Sequence, residues 1–143
     1  YNGYNLLYGD LNNIYCFSNV SNEVQKVAPG IHGLSNRFLD SPWPKVEKGR
    51  KALERCLGDE PLHTSLLCLL TDREKPDDSL LPDTGVGFEM EQMLSPLFIE
   101  SEIYGTRSST VMTIDAENLI QVTERTYENG LQEGYKDLQF SLP

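Results

Sequence analysis

Three short apolar and aromatic runs near the start of the chain constrain its fold most. Tyr4–Tyr8, Ile14–Ser18 and Glu23–Ala28 are separated by clusters of Gly, Asp, Asn and Ser. Such clusters favour tight turns, and strands joined by tight turns run antiparallel. The spacing therefore predicts an antiparallel meander, with Ile31–Leu34 as a short fourth strand.

A helical pattern follows this meander. Pro44 stands in a first-turn position, and Gly58 ends the pattern. Between them, small and apolar residues recur at helical spacing: Val46, Gly49, Ala52, Leu53, Cys56 and Leu57. The spacing predicts a helix over residues 44–57. Leu62–Leu70 predicts a second helix, more apolar and buried on more than one side, with Cys68 in the core.

The second half of the chain returns to strand patterns after an acidic, proline-interrupted loop over residues 71–87. The elements predicted after this loop are a helical turn at Phe88–Leu94, a strand at Leu97–Ile99, a hairpin of Ser109–Ile114 with Leu119–Thr126, and a final strand at Leu138–Leu142. Strands, then two helices, then strands again indicate an α+β fold. We expect residues 1–143 to form a single domain.

The charge balance and the lack of long apolar runs exclude several classes of partner. The chain has 12 Lys and Arg against 22 Asp and Glu, a net charge of −10, which repels a phosphate backbone, so we expect no nucleic-acid partner. No run approaches the roughly 20 apolar residues that cross a bilayer, so we expect a protein that is not transmembrane. Three cysteines without Cys-x-x-Cys spacing favour reduced thiols in the cytosol.

The histidines and serines do not form a recognisable catalytic or metal-binding pattern. His32 and His63 are the only histidines and lack metal-ligand spacing, which favours structural or surface roles. Ser35, Ser108 and Ser109 have no histidine at a supporting spacing. We therefore expect no metal site and no hydrolase activity from this chain alone.

Two predicted strand ends place a polar side chain near a glycine. Asn36 follows Gly33 and Arg107 follows Gly105. An amide or a guanidinium in such a position can hold an anion or an oxyanion. The alternative is that Asn36 adopts a turn conformation and that Arg107 pairs with a carboxylate. Spacing alone favours this structural alternative, because no complete catalytic set is present.

Several segments, in order along the chain, carry a family resemblance. They are Tyr1-Asn2-Gly3-Tyr4-Asn5-Leu6-Leu7, Gly30-Ile31-His32-Gly33-Leu34-Ser35-Asn36, Leu39-Asp40-Ser41-Pro42-Trp43-Pro44-Lys45, Tyr104-Gly105-Thr106-Arg107-Ser108-Ser109-Thr110 and Thr123-Glu124-Arg125. Together they closely resemble the transport and Golgi organisation protein 2 family. This family is also called NRDE, after an Asn-Arg-Asp-Glu motif near its N-terminus.

The resemblance implies a fold and a missing part. Family members begin with Met-Cys and carry the Asn-Arg-Asp-Glu motif soon afterwards, whereas this chain begins at Tyr1 without either. It looks like the C-terminal part of a longer domain whose N-terminal half is its partner. The family is similar to N-terminal-nucleophile hydrolases, which implies an αββα sandwich of antiparallel sheets. We expect unpaired strand edges and exposed apolar side chains near Tyr4–Tyr8 and Ser109–Ile114.

The resemblance also implies two functions of different classes. The first, which the family's associations favour, is a non-enzymatic trafficking or binding protein in the cytoplasm, associated with the Golgi or mitochondria. It would serve Golgi organisation and secretion and handle haem or a lipid-like small molecule, with His32, a cysteine or the missing half supplying any haem ligand. The second is a hydrolase of amide or acyl bonds whose catalytic cysteine lies upstream. Asn36 would then be the oxyanion donor and Arg107 the electrostatic support.

Overall fold

Six strands pair into two three-stranded antiparallel sheets in a computed structural model that describes residues 2–59 and 61–141. Three α-helices and a short 3-10 helix accompany the sheets in these residues. The secondary structure is therefore α+β, as the sequence predicts. The chain divides into two compact units, residues 1–54 and residues 55–143.

The first unit contains the predicted meander. Its strands are β1 (Asn5–Gly9), β2 (Ile14–Ser18) and β3 (Glu23–Val27), hydrogen-bonded in that order. The first turn is closed by the Asp10 carboxylate, which accepts hydrogen bonds from two backbone N–H groups at 2.8 Å. The predicted fourth strand is reduced to one bridge between Leu34 and Leu39.

Helix α1 (Pro44–Cys56) begins where the sequence predicts. The Trp43 carbonyl accepts the N–H groups of Val46 at 2.9 Å and of Glu47 at 3.0 Å, which starts the helix. Of the small and apolar residues that recur at helical spacing, only Val46 is buried, and Leu57 lies beyond the helix and is exposed.

The second unit contains the remaining helices and strands. They are α2 (Leu62–Leu69), a 3-10 helix (Asp78–Leu80), α3 (Phe88–Leu94), β4 (Ser108–Ile114), β5 (Leu119–Glu128) and β6 (Leu131–Ser141). The hairpin of β4 and β5 is confirmed, whereas β6 begins seven residues before the predicted final strand. Asn129 and Gly130, at φ 49° and 76°, make the two-residue turn that allows this longer strand. Leu142, the predicted end, lies outside the described residues.

Two predictions in this unit are wrong, the strand at Leu97–Ile99 and the burial of Cys68. Leu97–Ile99 is not a strand, because the Phe98 N–H donates to the Asp72 carbonyl at 2.8 Å and the Phe98 ring enters the core. Cys68 is exposed, because α2 packs on β4 through another face, on which Leu67 is buried.

The core of the second unit lies on the α2 side of the sheet. Leu67 and Phe98 are almost completely buried, and Val111 and Tyr127 are buried with them. The rings of Phe98 and Tyr127 meet edge to face with their centroids 4.8 Å apart. This contact fixes the end of β5 against the loop before β4.

Apolar side chains are exposed where the sequence predicts them. Leu6 and Leu7 on β1 and Met112 on β4 are each more than half exposed, and β1 and β4 are edge strands of their sheets. No helix within residues 2–59 and 61–141 is long and apolar enough to cross a membrane. The αββα arrangement and the similarity to N-terminal-nucleophile hydrolases stay predictions.

Candidate functional site

A groove of about 510 Å³ opens in the first unit. Its walls come from β1, the turn after it, β2, β3 and the segment that leads to the Leu34–Leu39 bridge. The apolar side chains that line it are Leu7, Leu11, Ile14, Val27, Ala28, Pro29, Leu34 and Leu39. The size and the mainly apolar lining are typical of a site for a small organic molecule.

The titratable groups that line this groove are basic. Lys26 and His32 contribute to its wall, and no carboxylate or cysteine does so among the described residues. The Lys26 ammonium donates one hydrogen bond to the Asn13 side-chain oxygen at 2.8 Å. An ammonium has three donors, so Lys26 retains the capacity to hold an anion. The lining is thus basic in a chain with a net charge of −10, while the Asp40 carboxylate lies 2.6 Å from the His32 ring, outside the lining.

His32 is a cation in this site. Its Nδ1 lies 2.6 Å from a carboxylate oxygen of Asp40, and its Nε2 lies 2.9 Å from the Ala28 carbonyl oxygen. Both partners accept hydrogen bonds, so only the protonated ring, with both nitrogens donating, satisfies the two contacts, and this geometry favours the imidazolium. In agreement, the hydrogen bond with Asp40 raises the pKa of His32 above its ordinary value of 6.5.

Asp40 organises the segment that carries His32. One Asp40 oxygen accepts the His32 Nδ1–H, and the other accepts the Gly33 backbone N–H at 2.9 Å. The Asp40 backbone, at φ 54°, returns a hydrogen bond from its own N–H to the Gly33 carbonyl at 2.7 Å. Burial opposes ionisation of this carboxyl, but the hydrogen bonds from His32 and Gly33 outweigh it and lower the pKa of Asp40.

Asn36 lies in a bend of the loop between Leu34 and Leu39. Its carboxamide is exposed, while the backbone on both sides is held in place. The Asn5 side-chain amide donates to the carbonyl oxygens of Ser35 at 3.1 Å and Arg37 at 3.0 Å. This position is compatible with donation to a ligand and equally with a turn role.

Arg107 belongs to the second unit, whereas Asn36 belongs to the first. Arg107 is exposed and immediately precedes β4, and its carbonyl accepts the Tyr127 N–H at 2.9 Å. The catalytic roles of Asn36 and Arg107 stay predictions.

His63 joins α2 to two strands of the second sheet. The Thr123 hydroxyl donates to Asp137 at 2.6 Å, so the His63 Nδ1, 3.0 Å from the same oxygen, is the donor to Thr123. The Nε2 atom lies 2.7 Å from the Thr113 hydroxyl oxygen and hydrogen-bonds with it. Hydrogen bonds from Thr123 and then Tyr135 lower the pKa of Asp137. Within the described residues, neither His32 nor His63 forms a hydrogen bond with a serine. The contacts of His63 with Thr113 and Thr123 could not be predicted from their spacing in the sequence.

The sequence did not single out Lys26 or Asp40 as functional residues. His32 and Asp40 are eight positions apart, and only the Leu34–Leu39 bridge brings them together. A lysine in an amphipathic strand is ordinarily a solvated residue. Among residues 2–59 and 61–141, no group of three or more His, Cys, Asp and Glu residues is arranged to hold a metal ion.

Comparison with known proteins gives the family of this chain. The family model described as Transport and Golgi organisation 2 matches residues 1–129. The chain belongs to the Transport and Golgi organisation 2 family. It is 33% identical over 142 residues to the Transport and Golgi organization protein 2 homolog of Homo sapiens and 32% identical over 145 residues to that of Bos taurus. A Drosophila melanogaster relative is 31% identical over 106 residues, which cover 66% of this chain and 36% of that protein.

The matches cover only part of each relative. The human and bovine alignments each cover 88% of this chain but 51% of the relative. The chain thus spans about half the length of the curated relatives that it matches. Membership of the Transport and Golgi organisation 2 family relates the chain to transport and Golgi organisation, and the predicted family resemblance is confirmed.

Proposed function

We propose that this chain contributes a ligand-binding unit to a non-enzymatic trafficking protein of the Transport and Golgi organisation 2 family. The ligand is a lipid-like amphipathic anion, held in the groove of the first unit. On this proposal the protein acts in the cytoplasm, in association with the Golgi or mitochondria, and supports secretion. The observation that carries the proposal is an apolar groove with basic side chains in its wall and no carboxylate among its described lining residues.

The apolar lining supports binding of a hydrocarbon chain. Leu7 and Ile14 are about half exposed, so they still present apolar surface to solvent. Covering such surface is favourable by roughly 25 cal/mol per Å² of apolar area removed from water. An alkyl chain laid along this groove covers residues of all three strands, because Val27 of β3 also lines it.

The charges support an anionic head group. The Lys26 ammonium has donors left after its bond to Asn13, and it sits in the same wall as the His32 imidazolium. Both N–H groups of His32 are already used, and its ring is paired with the Asp40 carboxylate. A carboxylate or phosphate of the ligand would therefore bind at Lys26.

His32 does not fit the role of an axial haem ligand. Coordination of the iron needs a ring nitrogen with an available lone pair, and both nitrogens of His32 are already engaged, one with Asp40 at 2.6 Å and the other with the Ala28 carbonyl at 2.9 Å. No cysteine lines the groove among the described residues, and Cys16 is buried in β2. A haem in this groove would be held by apolar contacts with the lining residues and through the carboxylate groups of the haem itself.

A binding titration tests this proposal. A fluorescent long-chain fatty acid and, separately, haemin are titrated into the 143-residue chain. We expect Ile14→Asn and Lys26→Gln to weaken binding of the fatty acid by about tenfold each, as the loss of one buried contact or one charged hydrogen bond predicts. Val24→Asn and Lys51→Gln are matched controls, since both positions are exposed in the same unit and outside the groove. Equal losses in the controls would contradict the proposal.

The alternative is a hydrolase of amide or acyl bonds with its catalytic cysteine upstream of this chain. The exposed carboxamide of Asn36, on a loop held by Asn5, is the observation that favours it. On this alternative Asn36 donates to the oxyanion and Arg107 supports the nucleophile. A full-length protein tested with acyl and amide substrates distinguishes the two: turnover lost in Asn36→Ala and Arg107→Gln would support the hydrolase.

A further inference from the structure

Two buried donors on β5 have no hydrogen-bond partner within the described residues. They are the Arg125 Nε–H and the Tyr127 hydroxyl. Side chains two residues apart on a strand project from the same face, about 7 Å apart. The register of β5 and β6 shifts between Thr126 and Tyr127, and the extra residue lies in β6. The side chains of β5 therefore continue to alternate between the two faces of the sheet. Both unpartnered donors therefore project from the α2 side of the sheet.

The Tyr127 side chain is held rigidly, and its unpartnered hydroxyl does not come from a loose side chain. The residue is 6% exposed, its ring contacts the ring of Phe98 edge to face, and its N–H donates to the Arg107 carbonyl. An arginine keeps its charge at every physiological pH, so Arg125 always presents its buried N–H. Such donors are normally paired in native proteins.

The neighbouring positions on the same face add hydroxyl and basic groups. Ser109 of β4 is buried directly opposite Arg125. Arg107, two residues earlier, lies beside Tyr127, whose N–H donates to the Arg107 carbonyl, and Arg107 is exposed. The nearest carboxylate in the register on β6, Asp137, already accepts the Thr123 hydroxyl at 2.6 Å.

From this juxtaposition we propose that Arg125 and Tyr127 form a binding site for an anionic oxygen group, a carboxylate or a phosphate. The Arg125 guanidinium and the Tyr127 hydroxyl donate to its oxygens, and Arg107 adds a second positive charge from the exposed side. Guanidinium groups suit such anions because their N–H donors match two oxygens at once. This site lies wholly in the second unit and does not depend on the function proposed for the groove.

The test is binding of small anions to the whole 143-residue chain. Inorganic phosphate and acetate are titrated separately at constant ionic strength, maintained with sodium chloride, and followed by thermal unfolding and by NMR. We expect a saturable rise in the unfolding midpoint with at least one of them, and the comparison identifies the preferred anion. A response no larger than that to chloride would overturn the proposal.

Substitutions separate binding from folding. Tyr127→Phe removes only the unpartnered hydroxyl, so we expect an unfolding midpoint without anion that is unchanged or higher, together with roughly tenfold weaker anion binding. Lys136→Gln is the matched control, since it removes a positive charge from the opposite face of the same sheet and should leave binding unchanged. Anion binding by Tyr127→Phe that equals the wild type, or a Lys136→Gln loss as large as that of Tyr127→Phe, would refute the site.

Discussion

Asp40 accepts the His32 Nδ1–H at 2.6 Å with one carboxylate oxygen, and the Gly33 backbone N–H at 2.9 Å with the other. The same imidazolium reaches the Ala28 carbonyl at 2.9 Å. One carboxylate and one imidazolium therefore fix both ends of the segment that forms a wall of the groove. The position of this wall therefore depends on the pair.

Replacing Asp40 by asparagine tests this dependence. Asparagine tolerates the positive φ of this position and keeps the size of the side chain, so the change removes mainly the charge. We expect a loss of about 1–3 kcal/mol in the free energy of unfolding, as for other hydrogen bonds to charged groups, and a lower pKa for His32. Urea unfolding and an NMR titration of the imidazole measure both. Asp59→Asn, in an exposed position, is the control, and an equal loss there would contradict the role of Asp40.

The stability contributed by the His32–Asp40 pair should decrease at both high and low pH. The pKa of His32 is raised, so its contribution is complete below its ordinary value of 6.5 and is lost as the pH rises through the folded value. The pKa of Asp40 is lowered, so its contribution is complete above its ordinary value of 3.8 and is lost as the pH falls through the folded value. We expect the stability difference between wild type and His32→Gln to be largest between pH 3.8 and pH 6.5. A difference that is constant with pH would argue against the ion pair.

Gly33 is a position where any side chain meets helix α1. A Cβ atom built there would lie 2.6 Å from the Cγ1 atom of the buried Val46. We expect Gly33→Ala to destabilise the chain by about 1–3 kcal/mol, because the packed neighbours must move. Gly58→Ala is the control, since a Cβ atom there meets nothing within 4 Å. Thermal unfolding of the two variants should separate them clearly, and equal midpoints would show that the helix is not packed on this segment.

His63 should act as a structural link in the second unit. Its ring bonds Thr113 on β4 and Thr123 on β5, so replacement by alanine leaves two hydroxyls without this partner. We expect His63→Ala to cost about 1–3 kcal/mol in unfolding free energy. Cys68→Ala changes an exposed position of the same helix and should cost much less. Comparable losses in the two variants would mean that the histidine link contributes little to α2 packing.

Local patterns in the sequence predict the strands and helices well where a single segment determines them. The meander and the start of α1 follow from turn residues and from Pro44, which act over a few positions. The turn at Asn129 and Gly130 also carries a recognisable local signal, an Asn-Gly pair, and it would have extended the last strand to its observed start. The apolar neighbours of Phe98 resemble a strand, but the hydrogen bond that its N–H donates to the carbonyl of the distant Asp72 holds it in a loop.

The candidate site is harder to predict from the sequence than the strands and helices are. Its charge depends on which partners His32 finds, and Asp40 reaches it only because the loop between Leu34 and Leu39 doubles back. Likewise, the two unpartnered donors of β5 are recognisable only once burial is known. The family resemblance, and not residue spacing, predicts Asn36 and Arg107 as site residues, and the two belong to separate units.

The most direct test of the proposed function is an NMR map of ligand binding on the 143-residue chain. Backbone amide shifts are followed while a medium-chain fatty acid such as decanoate is added below its micelle concentration. The account predicts saturable shifts at Leu7, Ile14, Lys26, His32 and Leu39, with changes along β4, β5 and β6 no larger than those that acetate produces at the same concentration. Shifts that are absent, or that spread over the exposed apolar side chains of both sheets alike, would contradict a specific site in the groove.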